Sequence, residues 1–200
     1  MITIKMDTKN VVKMLTNIAE KQIPYAASVA LNNTAFIVKD DEVKALDKHL
    51  DRPTPFTKRA YEVKKSTKQR LIATIQMRQK QGEYLKYQVL GGSQAPKGKS
   101  FGMPVEGGQP LNQYGNLKIK PRSLLKQKTT FSGTINGAPG IWRRLRGKAN
   151  HGRVKLLVAY ESKAKYKPIL PFYEVAEDSV KANIEREFGK ALAKALATAR

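Results

Sequence analysis

Apolar residues recur at helical spacing at both ends of this chain and alternate with polar ones in its middle. Near the start, TKNVVKMLTNIAEK over 8–21 places Val11, Leu15 and Ile18 on one face, with Lys and Asn opposite. Pro24 sits where a helix opens easily, because the first turn has no partner for the N–H that proline lacks. A second helix is expected from Pro24 to Leu50, with a stripe of Ala27, Ala30, Leu31, Thr34, Ala35, Val38, Leu46 and Leu50. Its small side chains let another backbone approach closely, which makes Ala27, Ala30 and Leu31 candidate subunit-interface positions. Asp51-Arg52-Pro53-Thr54-Pro55 ends it, since two prolines cannot continue the hydrogen-bond ladder.

After Phe56 the pattern changes. Thr57–Lys65 is ambiguous, with a helical turn as one reading. RLIATIQMR (70–78) and YLKYQVL (84–90) read as strands joined through Gln79–Glu83, with Gly82 in the turn. Residues 91–116 hold seven glycines and three prolines and read as a long excursion that orders against a partner. Further strands are expected at Leu117–Lys120, Thr129–Ile135, Gly140–Leu145 and Arg153–Tyr160. A short helix fits Arg122–Gln127, and Gly147–Gly152 reads as a turn. The last segment is the clearest helix. Glu174, Glu177 and Asp178 suit its positive end and Lys190, Lys194 and Arg200 its negative end. Val180, Ile184, Phe188, Ala191, Leu192, Ala195 and Ala199 form the face expected to cover the sheet.

This order of elements predicts an α+β fold. A small, mainly antiparallel β-sheet carries the N-terminal helices and a long C-terminal helix packed on it. One domain is expected over 1–200: N-terminal helices (1–52), a β-rich region (57–172) with its loop at 91–116, and the terminal helix (173–200).

Charge sharpens this picture. The 200 residues carry 38 Lys and Arg against 16 Asp and Glu, a net +22. From Tyr84 to Pro168 there are seventeen bases and two acids, Glu106 and Glu161, so this segment alone carries +15. Ten acids gather instead at Asp40, Asp41, Glu42, Asp47 and Asp51, and at Glu174, Glu177, Asp178, Glu185 and Glu187. Such an excess repels itself in a compact state and calls for a polyanion or an acidic partner. The candidate contacts are Lys118, Lys120, Arg122, Lys126, Lys128, Arg143, Arg144, Arg146, Lys148, Arg153 and Lys155. Alternation puts Ile141 and Arg143 on one strand face and Trp142 and Arg144 on the other. Trp142 is then open to base stacking, to a subunit interface or to partial cover by the C-terminal helix; Phe101 and Met103 are further subunit-interface candidates.

Catalytic chemistry finds no footing. There is no cysteine, and the two histidines, His49 and His151, stand far apart without a carboxylate cluster. Gly92–Ser100 imitates a phosphate loop but has five residues where four are needed, and Phe101-Gly102-Met103-Pro104 cannot open the helix that must follow. Asp40 and Asp41 point about 100° apart on a helix and are poorly placed to share a metal. The chain therefore reads as no enzyme, with no cofactor and no metal. No apolar stretch approaches the ~18 residues of a membrane span, so no membrane partner is expected.

Three stretches carry a family likeness: IPYAASVALNNTA (23–35), Asn136-Gly137-Ala138 before Trp142-Arg143-Arg144, and Tyr166-Lys167-Pro168-Ile169 before Pro171-Phe172 and the long last helix. With their order along nearly the whole chain, the sequence resembles the prophage minor tail protein Z family, the tail-completion proteins of lambda-like phages. DRPTPFT (51–57) with Ala60 resembles a related set of phage proteins. The resemblance implies a structural virion protein at the tail or neck, made in the host cytoplasm. It implies a homo-oligomeric ring of roughly six or twelve copies, closed by heterologous contacts. Portal, neck or tail-tube proteins would be its neighbours, with double-stranded genomic DNA in the lumen. The alternative is a stand-alone basic nucleic-acid-binding protein.

Overall fold

The computed structural model describes Thr16 and residues 18–198. The expected helix face at Val11 and Leu15, and Ala199 and Arg200 at the other end, lie outside the described residues. The fold is α+β, as expected, and the chain divides into two compact units.

Of the described residues, the first unit joins those up to 48, 55–83 and 171–198. A π-helical turn (Ile18–Gln22) leads into helix α1 (Ile23–His49). Then come a one-turn helix α2 (Pro55–Lys58), strand β1 (Tyr61–Lys64) and strand β2 (Thr74–Met77), the strands pairing antiparallel with Tyr61 opposite Met77. The long helix α5 (Phe172–Ala197) closes the unit. Helices α1 and α5 run antiparallel. Asn33 donates to Glu187 Oε2 at 3.3 Å and Ser179 Oγ to Asp41 Oδ2 at 2.7 Å, while Ala26 and Ala30 meet Ala191 and Ala195 in one core cluster. The small residues of α1 do admit another backbone closely, but it is α5 of the same chain. Ala30, expected at a subunit interface, is therefore buried inside the protomer. The alanine end of the α5 face, expected to cover a sheet, packs on α1 instead. The start of α5 does meet a strand, where Phe172 stacks on Tyr61 at 5.7 Å.

Helix α3 (Gln79–Leu90) begins in the first unit and ends in the second. This corrects the strand expected at 84–90 and the turn before it. Gln81 and Leu85, one turn apart, are the buried residues, so the true period is helical, and Gln, Lys, Glu and Leu all favour it. Gly82 is no turn residue, since a Cβ there would meet Met77 Cβ at an ordinary 3.5 Å.

The second unit holds residues 49–54 and 84–170. Strand β3 (Gly92–Gln94) pairs antiparallel with β8 (Ala164–Tyr166). Strand β4 (Phe101–Pro104), helix α4 (Pro121–Leu124), β5 (Thr130–Ile135), β6 (Ala138–Arg144) and β7 (Val154–Glu161) build the rest. The main sheet is antiparallel in the order β4-β7-β6-β5. The 91–116 excursion is not waiting for a neighbour. It supplies β3 and β4, and buried Gln109 exchanges hydrogen bonds with the Ile119 backbone, accepting from its N–H at 3.1 Å and donating to its C=O at 3.2 Å. That side chain does the work of a strand partner, and the only regular pairing near 117–120 is a bridge between Leu111 and Leu117, so the strand expected there does not form. Leu117 and Ile119 instead pack with Leu124 on Ile141, Leu157 and Val158 of the sheet.

Candidate functional site

The basic residues are gathered by topology. Because β5, β6 and β7 are antiparallel neighbours, the start of β5, the end of β6 and the start of β7 lie at one end of the sheet. Eight of the eleven candidate cations are carried there: Lys126 and Lys128 before β5, Arg143 and Arg144 ending β6, Arg146 and Lys148 in the connection, Arg153 and Lys155 opening β7. The other three, Lys118, Lys120 and Arg122, sit on the segment that covers one sheet face. There Leu117 and Ile119 turn inward while Lys118 and Lys120 stay exposed.

A β-bulge sets the rows of side chains. Pairing passes from Ile141 opposite Val158 to Trp142 opposite Leu156, leaving Leu157 as the extra residue. Leu157 and Val158 are consequently both buried, although they are neighbours on a strand. The same shift puts Lys155 directly opposite Arg143, with Thr130 next in that row. Two like charges facing across a ladder repel and destabilise the pair. Close backbone approach accompanies the bulge: a Cβ on Gly140 would lie 2.3 Å from the Val158 carbonyl oxygen.

Arg144 is on the opposite face, its guanidinium 4.5 Å from the Phe131 ring centroid. Beside it the β6–β7 connection encloses a concavity of about 520 Å³ lined by Arg144, Lys148, His151 and Arg153. Gly147 and Gly152, at φ of 99° and 73°, make the backbone turns that bring these cations round it. Among the described residues none of the eleven cations pairs with a carboxylate, and all but Arg143 are exposed.

The interface candidates divide. Phe101, Met103 and Trp142 share one face of the sheet, together with Phe131 and Leu156. Met103 is exposed, whereas the Trp142 indole N–H donates to the Gly133 carbonyl at 3.1 Å, which ties that ring to its own sheet. Ala27 and Leu31 are half-buried on α1.

Two features escaped the sequence reading. One is Glu42, counted there only as a member of an acidic group but fully buried in α1. Its place one turn from both Val38 and Leu46, on the buried stripe, was the available signal. Burial pushes its carboxyl up to about 8. The Tyr61 hydroxyl facing it works the other way, and Asp41 and Glu174 add to the rise. The same burial and the neighbouring carboxylate push the Tyr61 hydroxyl up. The other feature is the turn between β1 and β2, where KKSTKQR (64–70) carries four cations.

No group of acids and histidines among the described residues is arranged to hold a metal ion. No described helix is long and apolar enough to cross a membrane. No family model, curated protein or solved structure matches this chain.

Proposed function

We propose that the chain is a non-catalytic structural component of a tailed-phage particle, acting in tail completion or at the head–tail neck. Copies assemble into a ring, and the basic sheet end faces double-stranded DNA in the lumen or an acidic ring of portal, neck or tail-tube subunits. The supporting observation is the eight-cation sheet end with no carboxylate partner, including the facing pair Arg143 and Lys155. A fold stabilised only for its own sake would place an acid opposite one of them. Cations that touch phosphates hold a nucleic acid without reading its sequence, which suits DNA that must move past.

Mass spectrometry and cryo-EM of purified particles test this reading. It expects the chain as a stoichiometric ring, and absence from mature particles ends it. A salt titration of duplex binding separates the alternative. Tight binding by the isolated protomer, with no particle role, makes this a stand-alone nucleic-acid-binding protein.

A further inference from the structure

The first unit carries a positive surface of its own at the β1–β2 turn. Its excess charge is local: Phe56–Lys80 holds eight bases and one acid, whereas the other described residues of the unit hold eight bases and eleven acids. That one acid, Glu62, is taken up by Gln76 and Arg78 at the base of the hairpin. At the tip, Thr67 and Arg70 exchange two backbone hydrogen bonds of 2.9 and 3.1 Å around Lys68-Gln69.

This tip is fixed rather than free. Ser66, buried, donates its N–H to Asn32 Oδ1 at 2.7 Å and its hydroxyl to the Ser28 carbonyl at 3.0 Å. Ser28 Oγ and Asn32 Nδ2 each return a bond of 3.2 Å to the Ser66 carbonyl. The hairpin is thereby pinned to α1. Two aromatic rings of α1, three turns apart on the same face, then receive its lysines. Lys68 lies 5.1 Å from the Tyr25 centroid and Lys65 5.4 Å from that of Phe36, which also carries Lys39 at 5.9 Å. Both rings are well exposed, so solvent reaches the ammonium groups above them.

We propose that the β1–β2 hairpin tip with Lys39 is a second nucleic-acid contact, gripping the phosphate backbone of duplex DNA without regard to sequence. A ring under a lysine positions the ammonium while leaving its charge unneutralised, unlike a carboxylate. Pre-placed lysines lose less side-chain freedom when a phosphate arrives. The rings are already covered by cations, so they are not platforms for unpaired bases. A protein partner would want a desolvated aromatic centre depleted of charge, the reverse of this patch. The surface lies within the first unit and does not depend on the reading of the sheet end.

Fluorescence anisotropy of a labelled mixed-sequence duplex, titrated with salt, tests the proposal on the full chain. The variant is K39Q/K65Q/K68Q, and the control is K44Q/K181Q/K190Q, which removes as many charges from cations ion-paired on the helices. With ~0.9 counterion released per phosphate contact, the hairpin variant loses about 2.7 from the log–log salt slope. Between roughly 0.05 and 0.2 M salt, the wild-type advantage over it then shrinks about 40-fold. The control keeps the wild-type slope. Phe36→Leu weakens binding severalfold at low salt and Phe36→Tyr restores it, because the ring positions the lysines. Equal loss in both triple variants, an unchanged hairpin variant, or no duplex binding by the wild type overturns the proposal. So does binding lost instead on replacing exposed Leu71 and Ile72 by serine, which marks an apolar protein-docking edge. A parallel R143Q/K155Q variant reports on the sheet end separately, so either surface can fail without the other.

Discussion

Glu42 should make the first unit lose stability as pH rises through neutrality. Its side chain is fully buried and faces the buried Tyr61 hydroxyl. The folded carboxyl holds its proton up to a pKa of about 8, against an ordinary 4.5. Below 4.5 both folded and unfolded states are protonated, and Glu42 contributes no pH dependence. Between 4.5 and 8 the unfolded chain has released the proton and the folded one has not, so each added pH unit costs about 1.4 kcal/mol. Over the full window the loss approaches on the order of 5 kcal/mol, and from pH 5 to 7.5 it is about 3 kcal/mol. Domains have only ~5–15 kcal/mol to lose. Glu42→Gln keeps the shape and removes the titration. Urea melts followed by helical ellipticity read this unit, because α1 and α5 are its long helices. The wild-type-minus-variant difference in unfolding free energy should fall steadily from pH 5 to 8 and level off above. A difference that stays flat over that range would falsify the assignment of a buried, protonated Glu42. The acids nearest it, Asp41 and Glu174, remain in both proteins, so their titration cancels to first order.

Two further outcomes follow from the second unit, where the sole tryptophan, Trp142, is a local reporter. Gly140→Ala puts a Cβ 2.3 Å from the Val158 oxygen and 2.6 Å from Leu156 Cδ1, so it should cost about 1–3 kcal/mol or more in a Trp fluorescence melt. A neutral result there means that the strands do not approach as closely as described. R143Q/K155Q should move two quantities in opposite senses. Relief of the facing like charges stabilises the unit by several tenths of a kcal/mol. Loss of two phosphate contacts lowers the DNA salt slope by about 2. If stability drops instead, the pair is not an unrelieved repulsion.

Much of the architecture could be read from residue order because periodicity and punctuation agree where elements are long. Helix α1 was placed to within a residue or so at each end by Pro24 and the Pro53/Pro55 pair, and α5 by its acids and alanine face. Strands β5, β6 and β7 lie within two residues of their expected places, and β6 alternates as expected for Ile141 and Trp142, whereas the bulge at Leu157 breaks the alternation of β7. Failures came where the deciding partner was distant in sequence. YLKYQVL has aromatic and β-branched residues enough for a strand, but one-turn spacing of Gln81 and Leu85 won. The Gly/Pro-rich excursion looked unpacked because its strand partners, Val158–Glu161 and Ala164–Tyr166, lie far on in the sequence, 54 residues at the least. Composition located the central cations, but only the antiparallel register shows that eight of them share one end of the sheet. The hairpin cluster was missed because its rings are in another helix.

Two kinds of cation stand out among the described residues, and the contrast bears on function more than the total charge does. On the helices, Lys44, Lys181 and Lys190 each sit beside a carboxylate one turn away, Asp41, Glu177 and Glu187. These exposed pairs are worth little to stability and largely cancel one another's field. At the hairpin tip and the sheet end no described cation pairs with a carboxylate, and three lie on aromatic rings: Lys65 on Phe36, which also carries Lys39 of α1, Lys68 on Tyr25, and Arg144 on Phe131. A ring holds a cation in place through its quadrupole and subtracts no net charge, so positional order is gained while the outward potential is kept. That combination is a cost to an isolated protomer, which must tolerate the repulsion, and a gain wherever an anion meets either surface. Binding should then respond steeply to salt and weakly to base sequence, since ring-held point charges meet phosphates and not base edges. Duplexes of different sequence and equal length binding with affinities more than about tenfold apart would contradict this division, because phosphate contacts alone carry no such discrimination.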